Sequence, residues 1–164
     1  MTTILFVCSA NRFRSVIAAE CLQVLANADP IANSWTISSA GTWAQEGLPP
    51  IPQALKIAES HGLNISHVRS KEINGALIKA ATLVIMMTES QREALSLEFP
   101  QWKSKLFLLS EVFEGQTYDI HDPAERLEET TEEIGEEICR LITSGFSRIR
   151  GVVRKIEMTQ TNNQ

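Results

Sequence analysis

The sequence predicts an α/β protein: a doubly wound, four-stranded parallel sheet with helices on both faces. Two patterns carry that expectation. Short continuous apolar runs, Ile4-Leu5-Phe6-Val7 and Leu83-Val84-Ile85-Met86 among them, fit strands that are covered on both sides. Between them lie longer stretches with apolar residues at helical spacing, and strands that alternate with helices favour a parallel sheet. Such a sheet keeps its site at the carboxyl ends of the strands.

The first strand, residues 4–7, leads through Cys8-Ser9-Ala10-Asn11-Arg12-Phe13-Arg14-Ser15 into a helix over residues 15–26. Val16, Ile17, Ala19, Leu22, Val24 and Leu25 mark one broad apolar face of that helix. Residues 27–34 are a turn-rich connector around Asp29-Pro30. Residues 35–39 alternate as the second strand, which stops at Ala40-Gly41. Gly47 with Pro49, Pro50 and Pro52 excludes helix from residues 42–52. A helix then covers residues 53–60, with Ala54, Leu55, Ile57 and Ala58 inward and His61-Gly62 as its stop. A polar loop, 63–70, and a short helix, 71–80, lead to the third strand at 82–87. Thr88 caps the helix 89–97, with Gln91 as its capping-box partner, and Phe99-Pro100 closes it. Residues 105–109 form the fourth strand and 110–123 an irregular segment.

The last long helix is expected over residues 127–143, with Leu127, Ile134, Ile138, Leu141 and Ile142 on its buried side. The glutamates between 125 and 137 stand opposite that stripe and read as a solvated face. Residues 1–143 thus make a single domain. Residues 144–164 form a basic, then polar tail, partly helical or disordered, with disorder expected of the last eight or so residues.

Composition narrows the function classes. A net charge of −5 gives no electrostatic footprint for nucleic acid. No apolar run reaches membrane-spanning length, and the chain begins on a strand rather than on a signal segment. Three cysteines at irregular spacing form neither a disulfide framework nor a metal-ligand pattern. The expectation is a cytoplasmic protein with no cofactor, no metal and no membrane insertion. Nothing in the sequence fixes an oligomeric state.

The chemistry concentrates where the first strand meets the first helix. Free amides and the positive end of the dipole make a helix N-terminus an anion site, and the field that attracts an oxyanion also favours a thiolate. Cys8 and Arg14 bracket five residues, enough for the loop amides to wrap a tetrahedral dianion. Arg14 offers a planar fork to two of its oxygens, which lysine could not reproduce, and Ser15 is placed to donate toward the sulfur. Without Arg14 and Ser15, Cys8 would read as a small inert hydrophobe ending a buried strand.

The pattern resembles the low-molecular-weight protein tyrosine phosphatase family. The resemblance rests on Cys8 through Ser15 and on Asp122-Pro123 in Tyr118-Asp119-Ile120-His121-Asp122-Pro123. Ser38-Ser39-Ala40-Gly41-Thr42, His61-Gly62-Leu63-Asn64-Ile65-Ser66-His67 and Met87-Thr88-Glu89-Ser90 continue it in the family's order, to about residue 143. It implies a flavodoxin-like three-layer sandwich and hydrolysis of protein phosphotyrosine or small aryl phosphates, with phosphate or vanadate as inhibitor. Cys8 would be the nucleophile, Arg14 the phosphate-binding cation and Asp122 the general acid. Ser9, Ala10, Asn11, Arg12, Phe13 and Ser15 would complete the phosphate loop. Asn11, Ser39 and His67 match positions that brace that loop, and asparagine tolerates the left-handed conformation such a brace needs.

Some local alternatives stay open. Asp122-Pro123 followed by Glu125 also reads as a helix cap, and Asp119 is the fallback acid. Trp43 either walls the cleft and stacks on a substrate ring or packs under the proline-rich loop. Alone, His67 would read as an exposed loop residue. The chain departs from the family pattern at Ala10, where glycine is frequent, at Phe13, where a second cysteine is usual, at Val16, often proline, and at Ala124, often aromatic. Arg12 puts a charge at the cleft rim, where it either favours acidic flanking sequence or faces solvent. Cys21 and Cys139 are not obvious substitutes for a thiol at position 13. The rival functions are a thiol-coupled arsenate reductase, which needs further cysteines beside the nucleophile, a weakly active phospho-ligand-binding regulator, and a flavodoxin-like redox carrier.

Overall fold

A computed structural model describes residues 1–125 and 130–162. Its centre is a four-stranded parallel sheet built from β1 (Thr3–Cys8), β2 (Thr36–Gly41), β3 (Leu83–Met86) and β4 (Leu106–Leu108), in the order β2-β1-β3-β4. The chain leaves β1 to one side for β2 and returns to its other side for β3. The winding therefore reverses between β1 and β3, and the crevice at their carboxyl ends is where such sheets hold ligands.

Side-chain alternation divides the apolar residues of β1 and β3 between two cores. Ile4, Phe6, Leu83 and Ile85 face a layer made by α1 (Arg14–Asn27), α2 (Pro52–Ser60), α5 (Leu109–Phe113), α6 (Thr131–Ser144) and α7 (Phe146–Asn162). Leu5, Val7, Val84 and Met86 face α3 (Gly75–Ala80) and α4 (Glu89–Glu98), through Ile78 and Leu95. Full burial of each large apolar side chain contributes about 1.5–3 kcal/mol. This is the three-layer α/β sandwich expected from the apolar runs, with strand ends shifted by one or two residues.

Several local expectations change. Val24 is half exposed, because α1 turns Val16, Ile17, Ala18, Cys21 and Leu22 inward instead. The third helix starts only at Gly75, where the Asn74 side chain accepts from Leu77 N–H and sets its beginning. The segment taken as irregular opens with α5, whose Phe113 ring stacks on Phe6 at 6.4 Å. Thr88 caps α4 with Gln91 completing the box, as expected. Leu127 lies outside the described residues, and α6 begins at Thr131 behind a Thr130–Glu133 capping box. The chain beyond residue 144 is helical through Asn162, where a disordered end was expected. Ile149 and Val153, four apart, bury one face of α7, and Phe146 packs on Trp35. No described helix is long and apolar enough to cross a membrane.

Candidate active site

Cys8 is the last residue of β1, paired in register with Gly41 at the end of β2. Beyond it the chain bends through Ser9–Phe13 and enters α1 at Arg14. No side chain caps α1, and among the described residues the N–H groups of Ala10, Asn11, Arg12 and Phe13 donate to no carbonyl. The loop therefore presents unpaired amides at a helix N-terminus, an anion-binding arrangement. Cys8 Sγ sits 3.0 Å from Ser15 Oγ, a hydroxyl in the first turn of the helix.

Asn11 holds the loop open. It is the one non-glycine residue with positive φ, 56°, among those described. Its buried side-chain amide donates to Ser15 Oγ and to Ser39 Oγ, both at 2.9 Å. Its Oδ1 accepts from Lys71 N–H at 3.0 Å. The strained backbone is thus fixed by three contacts to α1, β2 and the loop before α3. Ser39 thus lies in contact with Asn11. His67 is exposed, and the Lys71 amide donates to the oxygen of Asn11.

Two contacts of the loop were not foreseen. Ser9 Oγ accepts from Gln91 Nε2 at 3.2 Å, while Gln91 Oε1 accepts from the N–H groups of Met87 and Thr88. The capping box of α4 is thereby wired to the loop after β1. Gly41 lies so close beneath the loop that an added Cβ would meet Ser9 O at 2.4 Å and Asn11 N at 3.0 Å. Gly41→Ala is expected to cost about 1–3 kcal/mol by overpacking and to displace the loop. Thermal melts should show the loss, and turnover at this site should fall at least about tenfold for a loop moved off its working geometry.

Arg14 is buried, 3% exposed, and reaches out of α1 toward the segment after α5. One guanidinium nitrogen donates to Ile120 O at 2.7 Å, and the other stands 3.5 Å from Asp122 Oδ2, an ion-pair distance. Asp122 Oδ1 accepts from Ala124 N–H, so this carboxylate does cap the short 3-10 turn Pro123–Glu125. It nevertheless lines one cleft with Cys8, Ala10, Arg12, Arg14 and Ala124, of about 280 Å3. The cap and the cleft position are compatible because α6 starts well beyond the turn. Asp119 is committed elsewhere: its Oδ1 accepts from Glu89 N–H at 2.8 Å, and Ile120 N–H donates to Met87 O. Those two bonds moor the Asp122 segment to the end of β3.

A family profile described as "Low molecular weight phosphotyrosine protein phosphatase" matches residues 3–155. The chain belongs to this family. A probable low molecular weight protein-tyrosine-phosphatase, EpsP, of Ralstonia nicotianae is 32% identical over 150 residues, 92% of this chain and 97% of the relative. A protein-arginine-phosphatase of Geobacillus stearothermophilus is 32% identical over 120 residues, 73% of this chain and 77% of the relative. Among solved structures, a low molecular weight protein tyrosine phosphatase from T. tengcongensis superposes with a TM-score of 0.80 at 29% identity, covering 90% of this chain and 99% of that one.

As a low molecular weight phosphatase, the chain is a cysteine-based enzyme, and its departures now have places. Phe13 is buried against α6, near Gly135, and fills core volume where a second thiol is usual. Arg12 is tied down through its Nε to Pro49 O at 2.8 Å. Trp43 is 87% exposed, which removes the core-packing alternative, and its backbone N–H donates to Ser9 O. Ala124 is exposed and lines the cleft with Cys8 and Asp122. Among the described residues no group of three His, Cys, Asp or Glu side chains gathers as a metal site.

Proposed function

We propose that the protein hydrolyses phosphotyrosine in proteins, or small aryl phosphates, through a phosphocysteine intermediate and without a metal. The observation that carries this is the convergence of Cys8, Arg14 and Asp122 on one cleft, with Arg14 contacting the segment that bears Asp122. Cys8 as thiolate attacks phosphorus in line with the leaving oxygen. Arg14 and the amides of Ser9 to Ser15 hold the equatorial oxygens, as an oxyanion site does. Asp122 in its protonated form gives its proton to the departing phenol. In the second step its carboxylate takes a proton from the water that attacks the phosphocysteine, releasing phosphate and the Cys8 thiolate. Ser15, held by Asn11, hydrogen-bonds the sulfur when it leaves.

Trp43, exposed in the neighbouring hollow beside Ser9 and Arg14, is available to stack on the substrate ring, while the small Ala124 leaves room in the cleft. That room also admits a longer, non-aromatic phosphorylated side chain, and the Geobacillus relative is named for phosphoarginine. A phosphoarginine peptide is therefore the comparison substrate. Arsenate reduction lacks support: no second thiol stands at Cys8, because Cys21 and Cys139 contact each other instead. A regulator that only binds would have no use for the buried nucleophile and the acid together. The reducing cytoplasm remains our proposed setting.

Leaving-group dependence tests the acid. With EDTA present, Asp122→Ala is expected to lose about 10^2–10^4-fold in kcat on a phenyl or tyrosyl phosphate and less on p-nitrophenyl phosphate, whose leaving group needs little protonation. Asp119→Asn should show no such dependence. The reverse pattern would transfer the acid role to Asp119.

A further inference from the structure

Outside the phosphate cleft, the fold joins the two cysteines that their spacing left unexplained. Cys21 on α1 and Cys139 on α6 are 118 residues apart in sequence, and their Sγ atoms lie 2.9 Å from each other. That is inside van der Waals contact and less than one ångström beyond a disulfide bond of about 2.05 Å. Both are free thiols and both are buried. Their surroundings differ. Cys139 forms part of the wall of an open surface groove of about 720 Å3 with His61, Glu136 and Arg140, and Cys21 does not line it.

We propose that Cys21 and Cys139 are a site of oxidative modification, closing reversibly to a disulfide that pins α1 to α6, separate from the catalytic cysteine. The hydrogen bond between the sulfurs, helped by burial, pushes the Cys21 thiol up, and the same bond brings Cys139 down. The thiolate accordingly forms on Cys139, the cysteine that lines the groove. A peroxide is the oxidant. The Cys139 thiolate attacks one peroxide oxygen, the O–O bond breaks, and hydroxide leaves a sulfenic acid behind. The Cys21 sulfur then attacks the Cys139 sulfur, the S–O bond breaks, and hydroxide departs as water with the Cys21 proton. Two thiols lose two electrons to one peroxide, which ends as two waters. A thiol reductant reverses the bond by exchange.

The pinned helices back the active site. Arg14 and Ser15 open α1, and α6 packs so tightly that a Cβ at Gly135 would meet Ile57 at 2.9 Å and Phe13 at 3.5 Å. Fastening the pair holds the phosphate loop in place without touching it. Cys8 takes no part, since its neighbour is the Ser15 hydroxyl.

The test treats the full-length, reduced protein with dilute hydrogen peroxide, alkylates what remains free, and maps peptides without reduction. The expected result is an intramolecular Cys21–Cys139 crosslink, reversed by dithiothreitol, with a Tm higher by on the order of 10 °C than that of the reduced protein. Cys21→Ala and Cys139→Ala should each lose both the crosslink and the Tm rise. Recovery of both thiols in free form after Cys8 has been oxidised would overturn the proposal. So would a bridge from either to Cys8 or to a second molecule, or a crosslink that leaves Tm unchanged. None of these readouts depends on phosphatase activity.

Discussion

Cys8→Ser is expected to abolish turnover while leaving the fold and the anion site intact. The side chain is 3% exposed at the end of β1, and serine matches it closely enough in size to keep the contact with Ser15 Oγ. What it loses is nucleophilicity: an alcohol is a far weaker nucleophile than a thiol, and the side chain's neighbour is the Ser15 hydroxyl. A loss of about 10^4-fold or more in kcat on p-nitrophenyl phosphate follows, of the size seen when a nucleophile is removed from an otherwise complete site. The same variant should still bind phosphate and vanadate by calorimetry, since the amides and Arg14 remain. Activity near that of the parent protein would remove Cys8 from the mechanism.

Arg14→Lys should cost nearly as much, although charge is conserved. Arg14 performs two tasks from one buried position. Its nitrogens reach Ile120 O and the Asp122 carboxylate, and it lines the same cleft as Cys8, so it links the Asp122 segment to that cleft. An ammonium is a single point of charge and cannot hold a bidentate phosphate and the Ile120 carbonyl together. Loss of one preorganised donor to a developing oxyanion costs about 10^2–10^3-fold, and release of the acid segment adds to it, so kcat should fall by about 10^3-fold. Phosphate inhibition should weaken in the same variant. A lysine enzyme with parental kcat and only a raised KM would show that Arg14 merely binds substrate.

What was legible in the sequence followed from local chemistry. The apolar run of β1 ending in Cys8, with Arg14 and Ser15 at a helix start, located both the central strand and the cleft that Cys8 and Arg14 line. The continuous apolar runs gave a sheet buried on both faces. The family order placed Asp122 over the cleft, and the local cap motif was equally real: one carboxylate oxygen caps Ala124 while the other faces Arg14. Features that depend on tertiary contact were hidden. No pattern says that Lys71 N–H, rather than His67, satisfies Asn11, because a backbone amide has no residue signature. The helix at Phe146–Asn162 lies in the basic, then polar stretch whose sequence left helix and disorder both open, and Ile149, Val153 and Phe146 dock it on the body. Helices of that composition owe their stability to packing rather than propensity. The sulfurs of Cys21 and Cys139 meet only because α1 lies on α6.

Turnover is expected to pass through a covalent phosphoenzyme on Cys8 that Asp122 both helps to form and helps to break. Asp122→Ala with p-nitrophenyl phosphate separates the two, because the activated phenol leaves without an acid while the water attack lacks its base. Rapid denaturation during turnover, followed by peptide mass mapping, should find one phosphoryl group on the peptide bearing Cys8, and none in Cys8→Ser. A phosphoryl group on any other residue, or product formation with an unmodified Cys8 throughout, would contradict it.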